Sequence, residues 1–138
     1  MRSYTILYVD DDIDDLHIIS DAFERYTDHL NVIHASNGRE GLTVLDNMHK
    51  RDSMPCLLII DINMPIMDGK ELLKRVRQQP EYENLPVIMF STSQSAADKE
   101  FAERYNADFF TKPGNYTRLK TLVDAFVTKC KLEVAGKA

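Results

Sequence analysis

The stretch Cys56-Leu57-Leu58-Ile59-Ile60-Asp61, continued by Ile62-Asn63-Met64-Pro65-Ile66-Met67-Asp68-Gly69, sets the architecture. Five consecutive apolar residues are too few for a helix. Their lack of polar alternation describes a strand covered on both faces, as in a parallel sheet. The run ends on an acid and crosses a turn. After Asp68 and Gly69 it gives way to Leu72, Leu73 and Val76 at helical spacing.

The same succession recurs on either side. Further short apolar runs are Ile6-Leu7-Tyr8-Val9, Val32-Ile33-His34-Ala35, Val87-Ile88-Met89-Phe90 and Asp108-Phe109-Phe110. Each is followed by a helical stripe: Leu16, Ile19 and Phe23 after Asp12; Leu42, Leu45 and Met48 after Asn37-Gly38; Ala97, Phe101 and Tyr105 after Ser95. The last stripe, Leu119, Leu122, Val123, Phe126, Val127 and Cys130, keeps the i, i+3, i+4, i+7 spacing longest. Five strand–helix repeats predict an α/β domain, a doubly wound five-stranded parallel sheet with five helices. The domain is expected to span residues 1–131, with 132–138 as a frayed tail.

Composition narrows the function. At 138 residues the chain has room for one ordinary domain. Its 17 basic and 22 acidic residues leave a net charge of −5, a poor basis for holding nucleic-acid phosphates. No apolar run is long enough to span a membrane, and no signal-peptide pattern opens the chain. A cytoplasmic location is the expectation. Cys56 and Cys130 are too few for a disulfide framework, and two buried thiols are expected.

In an open parallel sheet, ligands bind beyond the carboxyl ends of the strands. Those ends carry Asp10-Asp11-Asp12, then Asp61 with Asn63, then Ser91-Thr92, then Thr111-Lys112-Pro113. Carboxylates crowded together repel and call for a cation, and hard oxygen donors select Mg²⁺. Lys112 and the Ser91 hydroxyl would complete a cradle for a phosphoryl group, whose transfer depends on positioning and charge neutralisation. Asp61 then becomes the nucleophile that forms an aspartyl-phosphate, with Asp10 and Asp11 as metal ligands. An EF-hand reading of Asp10, Asp12 and Asp14 fails. Asp15 stands where that loop needs Gly, and Asp21 where it needs Glu.

These residues resemble the receiver domain of two-component response regulators, the CheY-like family with the flavodoxin-like fold. The matching stretches are Ile6–Asp12, Leu58–Gly69, Leu85–Ser91 and Phe109–Pro113, in family order. The resemblance implies strand order 2-1-3-4-5 and a stand-alone single-domain regulator. It makes Asp61 the phosphoacceptor and assigns Mg²⁺ to Asp10, Asp11 and the backbone carbonyl of Asn63. Ser91 and Lys112 become phosphate-binding groups, and Ser91 and Phe109 the switch pair. Asn63 and Ser93 would tune dephosphorylation, and Pro113 is a cis-peptide candidate. Gly114 stands where the family usually has an apolar residue.

The implied partners are a sensor histidine kinase or histidine phosphotransfer protein, and a downstream protein on the face of the fourth helix, fifth strand and fifth helix. No nucleic-acid or membrane partner is expected. The implied protein is a phospho-accepting switch rather than an enzyme. A Mg²⁺-dependent phosphohydrolase and a phosphate-independent binding module are the alternatives. His17, His29, His34 and His49 read as surface or sheet-edge residues. Met64 and Met67 read as loop packing, and Lys70, Lys74, Arg75 and Arg77 as a solvated helix face.

Overall fold

The structure, a computed structural model, describes residues 4–26 and 29–136. Five strands, β1 (Tyr4–Val9), β2 (Leu30–Ala35), β3 (Leu57–Ile60), β4 (Val87–Ser91) and β5 (Asp108–Thr111), alternate with five helices. The helices are α1 (Ile13–Phe23), α2 (Gly38–Lys50), α3 (Gly69–Arg77), α4 (Ala96–Arg104) and α5 (Tyr116–Gly136). All strand pairs are parallel, in the order β2-β1-β3-β4-β5 that the resemblance implied.

Local chemistry starts four of the helices where the sequence places them. The side chains of Asp12, Asn37, Asp68 and Ser95 each accept a backbone N–H of the first turn, the bonds that N-cap residues supply. β1, β3 and β4 contain the continuous apolar runs, and their apolar side chains are buried on both sides of the sheet. One layer packs Ile6, Tyr8, Leu57, Ile59, Ile88 and Phe90 against α1 and α5. The other packs Leu7, Val9, Leu58, Ile60, Val87 and Met89 against α2, α3 and α4. Each fully buried aliphatic side chain contributes about 1.5–3 kcal/mol, so the three central strands anchor the loops at their carboxyl ends.

One expectation is corrected here. In α4 the buried residue is Ala102, while Ala97 is exposed, so the stripe is rotated from the predicted one. The backbone of α5 continues through Gly136, and residues 137 and 138 of the expected tail lie outside the described residues. Cys56 and Cys130 lie next to one another, with their Cα atoms 5.1 Å apart. The chain brings the start of β3 and the inner face of α5 together in one layer. Two short 3₁₀ turns, Glu24–Tyr26 and Pro80–Tyr82, follow α1 and α3. Among the described residues, no helix is long and apolar enough to cross a membrane.

Candidate functional site

The site lies beyond the carboxyl ends of β1, β3, β4 and β5. Asp10 follows β1 directly, and its backbone N–H donates to Ala35 at 3.0 Å. Asp61 follows β3, with its N–H on the Val9 carbonyl at 2.9 Å. The ladder therefore continues one residue past the strands and fixes both acids side by side. Gly69 tightens the loop behind Asp61 by donating its N–H to the Ile62 carbonyl at 2.8 Å. A methyl group at residue 69 would fall far inside van der Waals contact distance of the Asp61 carbonyl oxygen and lie 2.8 Å from Ile62 Cα. Only glycine allows that approach. Ile66, in the same loop, adopts φ 69° and leaves its side chain 73% exposed. A β-branched residue in this region is strained.

Asp10, Asp11 and Asp61 each offer a carboxylate oxygen, and the three oxygens lie within 4.8 Å of one another. Asp10 and Asp61 are buried and Asp11 is exposed. The carboxylate of Asp61 is pushed up from 3.8 to about 6. Burial is the main cause, the charges of Asp10 and Asp11 add to it, and Lys112 and the Ile62 backbone N–H oppose it. Such a cluster of hard donors fits a small divalent cation, which would relieve the same repulsion.

Lys112 reaches in from the end of β5. Its ammonium donates to Asp10 Oδ2 at 2.8 Å and Asp15 Oδ2 at 2.7 Å, and lies 3.7 Å from Asp61 Oδ1. Burial works against this charge, but the hydrogen bonds to Asp10 and Asp15 and the nearby Asp61 outweigh it and hold the ammonium pKa above its usual value. Ser91 is fully buried at the end of β4, and its carbonyl accepts the Lys112 N–H at 2.8 Å.

Other expected site residues are placed around this centre. Asn63 is exposed on the loop after β3. Ser93 donates its N–H to Ser91 Oγ at 3.3 Å and its hydroxyl to Asp98 in the first turn of α4. Asp98 in turn pairs with Lys70 of α3, whose ammonium lies over the Phe101 ring. Lys70 is therefore not part of a solvated face. Nor is Arg77, whose guanidinium donates to the carbonyls of Tyr82, Tyr105 and Asn106. Phe109 is half-buried and packs on the α4 side of the sheet. Pro113 departs from the expectation: no cis peptide occurs among the described residues. The bond keeps the trans form that X–Pro bonds favour by about 0.5–1 kcal/mol.

Three residues join the site unforeseen. The Tyr8 hydroxyl donates to Asp10 Oδ2 at 2.5 Å, His34 Nε2 meets the Asp10 carbonyl at 2.7 Å, and Asp15 holds Lys112. One of them left a signal: Tyr8 precedes Asp10 by two residues, the period of one strand face. Burial and the Asp10 charge push the Tyr8 hydroxyl above its ordinary pKa, so it stays a donor.

Comparison with known proteins decides the family. Residues 6–124 match the profile of the response regulator receiver domain. The chain belongs to the receiver domain family. It is 36% identical over 123 residues to an uncharacterized 14.6 kDa protein of Leptolyngbya boryana, covering 88% of each chain. It is 31% identical over 121 residues to the sensor histidine kinase CheAY of Helicobacter pylori, covering 87% of this chain but 14% of that protein. Protein PilH of Pseudomonas aeruginosa is 29% identical over 119 residues, 85% of this chain and 93% of PilH. The chain thus spans anything from a small part to nearly all of the relatives it matches.

Among solved structures, the phosphorylated cyanobacterial phytochrome response regulator RcpA superposes with TM-score 0.82 at 26% identity, covering 90% and 91% of the two chains. The Vibrio cholerae chemotaxis protein CheY4 superposes with TM-score 0.70 at 32% identity, covering 88% and 98%. This receiver domain is a module of two-component signalling.

Proposed function

We propose that this receiver domain is a phosphorylation switch whose phosphoacceptor is Asp61. A phosphohistidine on a sensor histidine kinase or histidine phosphotransfer protein is the donor. An Asp61 carboxylate oxygen attacks phosphorus, the P–O bond forms, and the P–N bond breaks with its electron pair left on the imidazole. The observation that carries this reading is the placement of the Asp61 carboxylate. It lies among the oxygens of Asp10 and Asp11, with the Lys112 ammonium 3.7 Å away.

Each neighbour has a role that its chemistry supports. Asp10, Asp11 and the Asn63 backbone carbonyl are the proposed ligands of Mg²⁺. When bound, the ion supplies the positive charge that offsets carboxylate repulsion and neutralises phosphoryl oxygens. Lys112 pairs with one phosphoryl oxygen, and the Ser91 hydroxyl donates to another. The solved relative RcpA is itself a phosphorylated response regulator, which supports the same chemistry here.

The new group adds a charge of about −1.5 to −2 beside Ser91 and Lys112. Ser91 then gives up its contact with the Ser93 N–H, and Phe109 turns toward the space beside it. The face of α4, β5 and α5 changes with them and binds a downstream protein in the cytoplasm. Ser93 and Asn63 set how fast water removes the phosphate. Residues 1–131 form the receiver domain proper. The protein acts as a switch that assists its own phosphorylation and dephosphorylation, without nucleic-acid or membrane contact.

The test is to incubate the protein with acetyl phosphate and Mg²⁺ and weigh it intact. One added phosphoryl group, absent in Asp61→Asn, is the expected result. Steady turnover of phosphomonoesters would establish a phosphohydrolase instead. No gain from any phosphodonor would leave a phosphate-independent binding module.

A further inference from the structure

The position of the Lys112 ammonium raises a question that Asp61 does not answer. Its shortest contact is with Asp15, at 2.7 Å, in the first turn of α1. Its second is Asp10, at 2.8 Å, through an oxygen that also accepts the Tyr8 hydroxyl. Asp61 lies at 3.7 Å, an ion pair beyond hydrogen-bond reach. Asp15 is not among the three acids whose oxygens could hold a cation. The ammonium is thus held most closely by a carboxylate outside the metal group and on a different element from the acceptor.

Building on the reading of Asp61 as acceptor, we propose that Asp15 is a positioning residue that holds the Lys112 ammonium against α1 and competes for it with a phosphoryl group on Asp61. The physical argument is a difference between two states. In the resting protein, Lys112 spends two of its three N–H groups on Asp10 and Asp15. A phosphoryl oxygen on Asp61 needs a charge-assisted hydrogen bond from the same ammonium. Whatever attraction Asp15 adds in the resting state therefore counts against the phosphorylated one. The size is modest, because the Asp15 side chain is 33% exposed and water screens part of the pair. Asp14, beside it, shares the general preference of acids for a helix N-terminus but is exposed and has no part in holding Lys112. It separates the general charge effect of the first turn from the particular effect of Asp15.

The experiment uses the full chain with Mg²⁺ and titrates in fluoroberyllate, a tetrahedral anion that stands in for a phosphoryl group on a carboxylate, by calorimetry. Asp15→Asn keeps an oxygen acceptor and removes the charge. It is expected to bind fluoroberyllate about two- to fivefold more tightly than the wild type. Asp14→Asn is expected to match the wild type, and Asp15→Glu to return to within about twofold of it. A merely structural role would loosen the site and weaken binding, so tightening is the distinguishing result. If Asp15→Asn binds no more tightly than Asp14→Asn, the inference is overturned while the role of Asp61 stands. If the wild type binds no fluoroberyllate, the reading of Asp61 fails, and the inference with it.

Discussion

Burial makes the Asp61 carboxylate a stability liability, and the substitution Asp61→Asn measures how large. The group is 8% exposed, and its pKa is raised from 3.8 to about 6. At 1.36 kcal/mol per pH unit, that interval corresponds to about 3 kcal/mol. The sign follows from which state holds the proton more tightly. A folded-state pKa above the unfolded value gives a contribution that is fully present below pH 3.8 and lost as pH rises through about 6. Above that, the folded protein confines an anion that the unfolded chain would hydrate. Asparagine resembles the protonated acid in size and is neutral at every pH. Without divalent cations, Asp61→Asn is therefore expected to be more stable than the wild type by about 2–3 kcal/mol at pH 7.5. The two should converge near pH 4. Urea unfolding followed by circular dichroism, across that range with chelator present, reads the difference directly. Equal stabilities at pH 7.5, or a gap that persists unchanged at pH 4, would refute the reasoning. Mg²⁺ should then stabilise the wild type more than the variant, by mass action on a site that has lost one of its carboxylates.

Other outcomes follow from single residues. Gly69→Ala drives a methyl group into the Asp61 backbone and is expected to cost about 3 kcal/mol in denaturant unfolding, with weakened Mg²⁺ binding. Ile66→Gly relieves the left-handed backbone at φ 69° and should raise stability by about 0.5–1 kcal/mol, measured by calorimetric unfolding. Tyr82 is buried and its hydroxyl donates to Asp46, so Tyr82→Phe is expected to cost about 1 kcal/mol in urea unfolding.

Sequence reading went furthest where one residue type carries one physical role. Asp12, Asn37, Asp68 and Ser95 cap helices because a short side-chain oxygen there meets a free backbone N–H. The acids after β1 and β3 were legible because a parallel sheet gathers strand ends at one edge. What stayed hidden depends on reach between elements. Lys112 finds Asp15 across 97 positions, and Lys70 finds Asp98 between two helices. Cys56 meets Cys130 only once α5 packs onto the sheet. The backbone twist at Ile66 was invisible for another reason: the loop imposes it on a residue that would not choose it. In α4, three apolar residues could not fix the helix phase, so Ala97 was placed inward and Ala102 missed.

The bridge from Lys70 to Asp98 has an implication for how descendants of this gene change. Either charge alone would strand its counterpart beside the loop that carries Ser93. A lineage that reverses one sign is expected to reverse the other soon after, whereas Lys74 on the same helix is at liberty to drift by itself. Paired exchange at positions 70 and 98 would be the inherited trace of a tether that natural selection has kept taut.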